Sequence, residues 1–232
     1  MKRGIYLGVL GVVLFGGAIG TSGAQTTISA DGVVESTSGG FKFPDGTVQA
    51  TAAAGGAPVE DTGLTTCWDT DGVSRDCGGT GEDGEFQAGV AWPTPRFTDN
   101  GDGTVTDNLT DLMWLKDANC PLGTKTWQQA LDWVANPLNS GGIACSGYTA
   151  GTFTDWRLPN IRELLSLVDY GQKSPVLPPA NPFVNVQLLR YWSSTSEPPD
   201  YDSARQIEFA DGYTNSDGKI DTLYVWPVRG GQ

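Results

Sequence analysis

The chain contains no histidine, and this absence removes several kinds of catalytic and metal site. A serine or cysteine nucleophile usually depends on a histidine base, so the common acyl-transfer arrangements are excluded. Zinc sites that use histidine are excluded too, and none of the four cysteines has C-x-x-C spacing. We therefore expect no bound metal, no cofactor and no enzymatic activity of these kinds.

Positive charge is scarce. The sequence has 14 lysines and arginines against 27 acidic residues, which gives a net charge of −13. Residues 1–24 carry Lys2 and Arg3 and no acidic residue, so their removal would leave −15. Such a surface repels phosphate backbones and anionic headgroups. We expect no nucleic-acid partner, and sulfated glycans are unsuitable ligands.

Long apolar runs are absent except for residues 5–19. This run follows Lys2 and Arg3 and precedes the small residues Ser22-Gly23-Ala24, which is the pattern of a cleaved export signal. We predict a signal peptide at residues 1–24 and no membrane span after cleavage. The mature chain would be periplasmic, displayed on the cell surface or secreted.

Cysteine is limited to four residues, an even number that in an exported chain predicts two disulfides. Their order along the chain favours Cys67 with Cys77 and Cys120 with Cys145, although four cysteines permit three pairings. If both bridges form, no free thiol remains.

Large apolar residues are few in residues 25–91, which are rich in Gly, Thr, Ala and Asp. We predict a largely irregular extension without a compact core. Within it, residues 40–49 alternate Phe, Lys and Phe into a turn, as in a short hairpin. The hairpin resembles segments that precede trimeric stalks in bacterial surface and fibre proteins. Two interpretations stay open: a homotrimer formed through the extension, or a flexible linker.

From Trp92 onward aromatic and aliphatic residues become frequent, so we place a folded domain at residues 92–232. Asn160 and Glu163 form a capping box for a helix that we expect to end at Gly171. Its apolar stripe comprises Ile161, Leu164, Leu165 and Val168.

A second helix has the same pattern, with Thr126 as its cap, Gln129 three residues later and Pro137 at its end. Its stripe comprises Trp127, Ala130, Leu131 and Val134. Strands are predicted at 96–98, 103–107, 109–115, 191–195, 204–210 and 223–228. This order predicts an α+β fold with two short helices on a twisted antiparallel sheet.

The eight tryptophans raise the question of sugar stacking. Trp114, Trp127, Trp156, Trp192 and Trp226 are flanked by apolar residues or lie in a helix stripe, so we assign them to the core. We place Trp68 and Trp92 outside the core and expect no other residues to hold their side chains in place.

Four stretches of the chain, residues 96–114, 156–169, 191–195 and 224–231, resemble the Lcl C-terminal domain family in the same order. The resemblance covers residues 95–231 and implies a C-type-lectin-like fold with a role in surface binding or adhesion. Enzymes of that fold depend on a free cysteine pair, which the predicted bridges would remove. The adhesin that names the family is thought to bind sulfated polysaccharides, which does not suit this charge. The resemblance also leaves open that residues 193–222 are diversified by a retroelement.

The segment between residues 193 and 222 is the predicted ligand-binding surface for a glycan or a protein. Its tyrosines, amides and charged groups lie in loops or on alternate strand positions, as in binding loops on a rigid scaffold. The candidate residues are Glu197, Tyr201, Asp202, Arg205, Gln206, Glu208, Tyr213, Asn215, Asp217 and Lys219.

Three alternatives stay open. Glu197 with Asp202 or Glu208 would suit a glycoside hydrolase if their separation allows it. The chain would otherwise be the structural tip of a trimeric fibre. Residues 215–221 resemble the middle of a calcium loop, but tyrosines occupy its first and last ligand positions, so we interpret them as a turn and keep calcium as a minor possibility.

Overall fold

The computed structural model describes residues 26–28, 34–36, 41–42, 48–49, 59–141, 144–145 and 147–230. The chain forms two compact units, Met1–Ala57 and Pro58–Gln232. In the first unit, β1 (Thr26–Ile28) pairs with β2 (Val34–Ser36), and β3 (Phe41–Lys42) pairs with β4 (Val48–Gln49). The hairpin predicted at residues 40–49 is thus confirmed in its strands, whereas the signal peptide lies outside the described residues.

The second unit begins with a segment that the composition assigns to the extension. Strands β5 (Cys67–Trp68) and β6 (Ser74–Arg75) pair and are followed by the short helix α1 (Asp83–Phe86). Thr62, which precedes these elements, is joined to the rest of the unit, because its carbonyl accepts from the Tyr170 amide at 2.9 Å. The compact unit therefore starts well before Trp92, where the composition places the domain boundary.

Trp92 itself is anchored, contrary to our expectation. Its indole Nε1 donates to the Asp61 carbonyl at 3.0 Å, and the Arg96 guanidinium lies 4.7 Å from its ring centre. Asp61 lies 31 residues before Trp92 in the sequence, so a local pattern could not indicate this hydrogen bond.

The remaining elements make an α+β unit whose strand ladders are antiparallel. They are β7 (Phe97–Asp99), β8 (Thr104–Asp107), β9 (Met113–Leu115), α2 (Trp127–Trp133), β10 (Ala144–Cys145), β11 (Tyr148–Thr149), α3 (Ile161–Leu165), β12 (Arg190–Ser196), β13 (Ser203–Glu208), β14 (Thr214–Gly218) and β15 (Val228–Arg229). One sheet has the order β15-β9-β8-β7 and another the order β12-β13-β14. The predicted strands are thus shared between two small sheets, but the strand predicted at 223–228 is reduced to isolated bridges at Leu223 and Tyr224 and to Val228 in β15. Helix α3 packs on β12 and β13, and α2 packs on β12.

Both predicted capping boxes are present. The Thr126 hydroxyl accepts from the Gln129 amide, and the Gln129 side chain accepts from the Thr126 amide at 3.1 Å. The Asn160 side chain accepts from the Glu163 amide at 3.0 Å, and the Glu163 carboxylate accepts from the Asn160 amide at 2.8 Å. These reciprocal bonds satisfy amide groups that an uncapped first turn leaves without a partner.

Both helices end differently from the prediction. Helix α3 ends at Leu165, because Leu167 and Val168 bond three residues back, to Leu164 and Leu165, and tighten the chain. Helix α2 continues into a π-helical turn, Val134–Leu138, that contains Pro137 instead of stopping before it. Proline has no amide hydrogen to donate, and the wider turn accommodates it.

The core consists of two clusters of buried side chains. One is built around Trp114, Tyr191, Phe209 and Trp226, and the other around Trp133, Tyr148, Trp156 and Trp192. Four of the five tryptophans assigned to the core are buried, and Trp127 is partly buried against the second cluster. Trp133, which the helix stripe did not include, is buried as well.

Both predicted disulfides are present. Cys67 pairs with Cys77 and Cys120 with Cys145, at sequence separations of 10 and 25. Closing loops of these lengths stabilises a fold by about 2–4 kcal/mol each. In the part of the chain that the structure describes, no helix has the length and hydropathy needed to cross a membrane. The two bridges are compatible with an exported protein.

Candidate ligand-binding surface

Two neighbouring loops project from one end of the β12-β13-β14 sheet. One is residues 197–202, which joins β12 to β13, and the other is residues 219–222, which follows β14. The Lys219 amide donates to the Asp202 carbonyl at 2.7 Å, which extends the β13-β14 ladder by one pair. The next residues outward, Tyr201 and Ile220, lie in the turns that follow, which the Ser203 amide closes on the Asp200 carbonyl and the Asp221 amide on the Gly218 carbonyl. We call these two loops the tip.

Lys219 fastens the tip to the scaffold. Its Nζ donates to the Ser196 hydroxyl at 2.9 Å and to the Tyr201 carbonyl at 2.7 Å. The same ammonium lies 4.4 Å from the centre of the Trp127 ring, and the Trp127 indole donates to the Ser193 carbonyl at 2.8 Å. One side chain thus joins β12, both tip loops and the first turn of α2.

An ion pair between Arg205 and Glu197 also stabilises the 197–202 loop. The Arg205 Nη2 lies 2.8 Å from the Glu197 Oε1, and the Glu197 amide donates to the Ser203 carbonyl at 3.0 Å. Because Lys219 and Arg205 are both engaged within the chain, neither cation is free to meet an anionic ligand.

Apart from Thr222, the exposed side chains of the tip are apolar, aromatic or acidic. Tyr201 is 71% exposed and Ile220 is 87% exposed. The carboxylates of Asp200, Asp202 and Asp221 are exposed around them. A contact surface of this kind suits an uncharged or basic target.

The predicted site residues do not form one continuous patch. Glu197, Tyr201, Asp202 and Lys219 lie in the tip and Arg205 lies beside it on β13, whereas Glu208 and Tyr213 flank the β13-β14 turn at the opposite end of the sheet. Asn215 and Asp217 lie on the edge strand β14, where Asp217 pairs with Arg190 at 2.6 Å. Gln206 is 2% exposed, so a ligand cannot reach it.

A glycoside hydrolase needs one pair of neighbouring carboxylates, and two candidate pairs were predicted. The structure separates the carboxylates of one candidate pair, Glu197 and Glu208. Glu197 is bonded at the Ser203 end of β13, and Glu208 lies at the other end of that strand. Five residues of extended strand correspond to about 17 Å. Paired glycosidase carboxylates lie about 5–9.5 Å apart, so Glu197 and Glu208 cannot act together.

Residues 215–218, interpreted as part of a turn, instead belong to strand β14, and the turn follows it, with the Asp221 amide donating to the Gly218 carbonyl at 2.8 Å. Among the residues whose placement is described, no three acidic or cysteine side chains converge in a way that could hold a metal ion.

A comparison with models of known protein families identifies the family of this domain. Residues 103–229, more than half of the chain, match the Lcl C-terminal domain. The chain belongs to this family. No curated protein matches the sequence.

The stretches by which the sequence resembles the Lcl C-terminal domain contribute buried side chains to its interior. Trp156, Trp192 and Trp226 are buried, and Arg157 binds the Glu163 carboxylate through both terminal nitrogens, at 2.7 and 2.6 Å. Its Nη2 also donates to the Gly230 carbonyl at 2.9 Å. The tip also lies within the residues that match the family.

Replacing Lys219 with methionine should loosen the tip and leave the fold intact. Methionine keeps an apolar stem over Trp127 but cannot donate to Ser196 or Tyr201, so we expect the loss of about 1–2 kcal/mol of unfolding free energy. Hydrogen exchange of the 197–202 amides should accelerate. Lys173→Met, at an exposed lysine elsewhere, is the control and should leave that exchange unchanged; equal rates in both variants would show that Lys219 does not hold the loop.

Proposed function

We propose that this protein is an exported, non-catalytic ligand-binding module with a C-type-lectin-like scaffold, which attaches to a glycan or protein target through its tip. The observation that carries the proposal is the exposure of two large side chains, Tyr201 and Ile220, one in each tip loop, with the Tyr201 backbone held by Lys219. An adhesin-type surface module is also what the Lcl C-terminal domain suggests.

The tip has the composition of a binding surface. Tyrosine offers a large contact area and loses little conformational entropy on binding, because it has only two rotatable side-chain bonds. Buried aromatic anchors surrounded by polar groups are the usual centres of binding energy. Tyr201 would be such an anchor, and Asp200, Asp202 and Asp221 would accept hydrogen bonds at its rim.

The proposal is tested by screening the full chain against glycan and protein arrays and repeating the strongest interaction with variants. We expect Tyr201→Ser or Ile220→Ser to weaken binding about tenfold or more, the loss expected at a hot spot. Tyr213→Ser is the matched control, because Tyr213 is also an exposed tyrosine but lies at the other end of the sheet. Equal losses in the control would contradict the assignment of the tip.

The hydrolase alternative is tested in the same experiment. Glu197 and Asp202 lie at the same end of the sheet, so this pair remains the candidate for catalysis. Hydrolysis products are therefore measured for every glycan that binds. Binding without turnover supports the module. Turnover that Glu197→Gln abolishes would replace our proposal with a hydrolase.

A further inference from the structure

A groove of about 600 Å³ lies on the second unit, and none of its lining residues belongs to the tip. One wall comes from the segment that precedes the family match and carries Val59 and Val90; the other comes from Leu109 and Leu165. The volume falls within the usual range of small-molecule sites, which are mostly apolar with a few polar groups. We call it the seam groove.

The apolar walls of the seam groove are partly exposed. Val59 is 71% exposed and Val90 is 39% exposed, although both belong to a segment that is hydrogen-bonded in place. The Val90 amide donates to the Val59 carbonyl at 2.8 Å, and the Asp61 amide donates to the Val90 carbonyl at 3.1 Å. Side chains of this kind on an ordered backbone gain free energy when an apolar ligand covers them.

Two charged residues border the seam groove. Arg162 is exposed and has no ion-pair partner among the described residues. Glu60 lies 3.8 Å from the Arg96 guanidinium, and burial raises the pKa of its carboxyl more than that guanidinium lowers it. Glu60 faces Arg96, whereas the guanidinium of Arg162 has no carboxylate opposite it among the described residues, in a protein whose net charge is strongly negative.

We infer that the seam groove binds an amphiphile with a hydrocarbon chain and a carboxylate head, the chain lying on Val59, Val90, Leu109 and Leu165 and the head on Arg162. A guanidinium holds a carboxylate through two parallel hydrogen bonds. An extended peptide fits less well, because its backbone amides would need partners along apolar walls. The one hydroxyl in the lining, that of Thr110, already donates to the Asp107 carboxylate at 2.8 Å.

The test is isothermal titration of the full chain with decanoate, and with decylammonium as the probe of opposite charge. We expect saturable binding of decanoate below about 1 mM and at least tenfold weaker binding of decylammonium. Arg162→Gln should weaken decanoate binding about tenfold, and Val59→Ser should weaken it severalfold because the apolar wall is reduced. Lys173→Gln, which removes an exposed cation that does not line the groove, should leave the affinity unchanged.

We expect these variants to fold as the parent protein does, because Arg162, Val59 and Lys173 are all exposed. Thermal unfolding of each variant checks this. Absence of saturable decanoate binding would overturn the inference. So would equal affinity for the two probes, an unchanged affinity in Arg162→Gln, or tighter binding of a short acetylated apolar peptide with a free carboxylate than of decanoate.

Discussion

Replacing Arg96 with methionine is expected to lower the free energy of unfolding by about 3–5 kcal/mol, because it leaves a buried carboxylate without its partner. Arg96 is 7% exposed and Asp107 is fully buried. The Arg96 Nε lies 2.7 Å from the Asp107 Oδ1 and its Nη2 lies 3.0 Å from the Oδ2. The Nη2 also donates to the Ser166 carbonyl at 2.6 Å, which ties β8 to the turn after α3.

Chemical denaturation measures this effect, and two further variants make it specific. Arg96→Met combined with Asp107→Leu removes the orphaned charge and should recover part of the loss. Lys116→Met breaks the exposed pair between Lys116 and Asp99 and should cost no more than about 1 kcal/mol. A loss in Arg96→Met as small as in Lys116→Met would show that the buried pair does not hold the unit together.

Replacing Trp226 with alanine is the second large effect, a loss of about 3–5 kcal/mol. Trp226 is fully buried, and its ring meets Trp114 and Phe183 edge to face at centroid distances of 5.8 and 4.8 Å. Its indole nitrogen donates to the Leu115 carbonyl at 2.8 Å. Alanine would leave a cavity in the first core cluster and an unpaired carbonyl.

Trp68→Ala is the control for this tryptophan, since Trp68 is 40% exposed on the small β5-β6 ladder. We expect it to cost about 1 kcal/mol or less. Thermal or chemical unfolding of both variants provides the comparison. Similar losses would mean that the aromatic cluster is not the centre of the core.

Features encoded by neighbouring residues could be predicted from the sequence. The capping boxes at Thr126 and Asn160 depend on residues three positions apart, and the hairpin strands at 41–42 and 48–49 depend on local alternation. The disulfide pairing followed chain order.

Features that depend on distant residues could not be predicted. The contact between Trp92 and Asp61 joins segments 31 residues apart, so composition alone assigned Asp61 to an irregular extension. The split into two sheets likewise depends on β15 returning from the end of the chain to pair with β9.

The candidate site was predicted in part, for a similar reason. Alternation along β13 indicates one polar face, yet Gln206 lies opposite Trp192 in the ladder, where the second core cluster covers it. When both faces of a strand are partly buried, the alternation of polar and apolar residues no longer indicates which positions are exposed. Ile220 was missed because a single apolar residue in a polar loop is ordinarily uninformative.

Hydrogen-exchange footprinting of the full chain with a ligand from the array tests whether the ligand meets the tip. Exchange is expected to slow in residues 197–202 and 219–222 on binding, with no change around the turn at Tyr213. Protection confined to the Tyr213 turn, or to the seam groove, would contradict it.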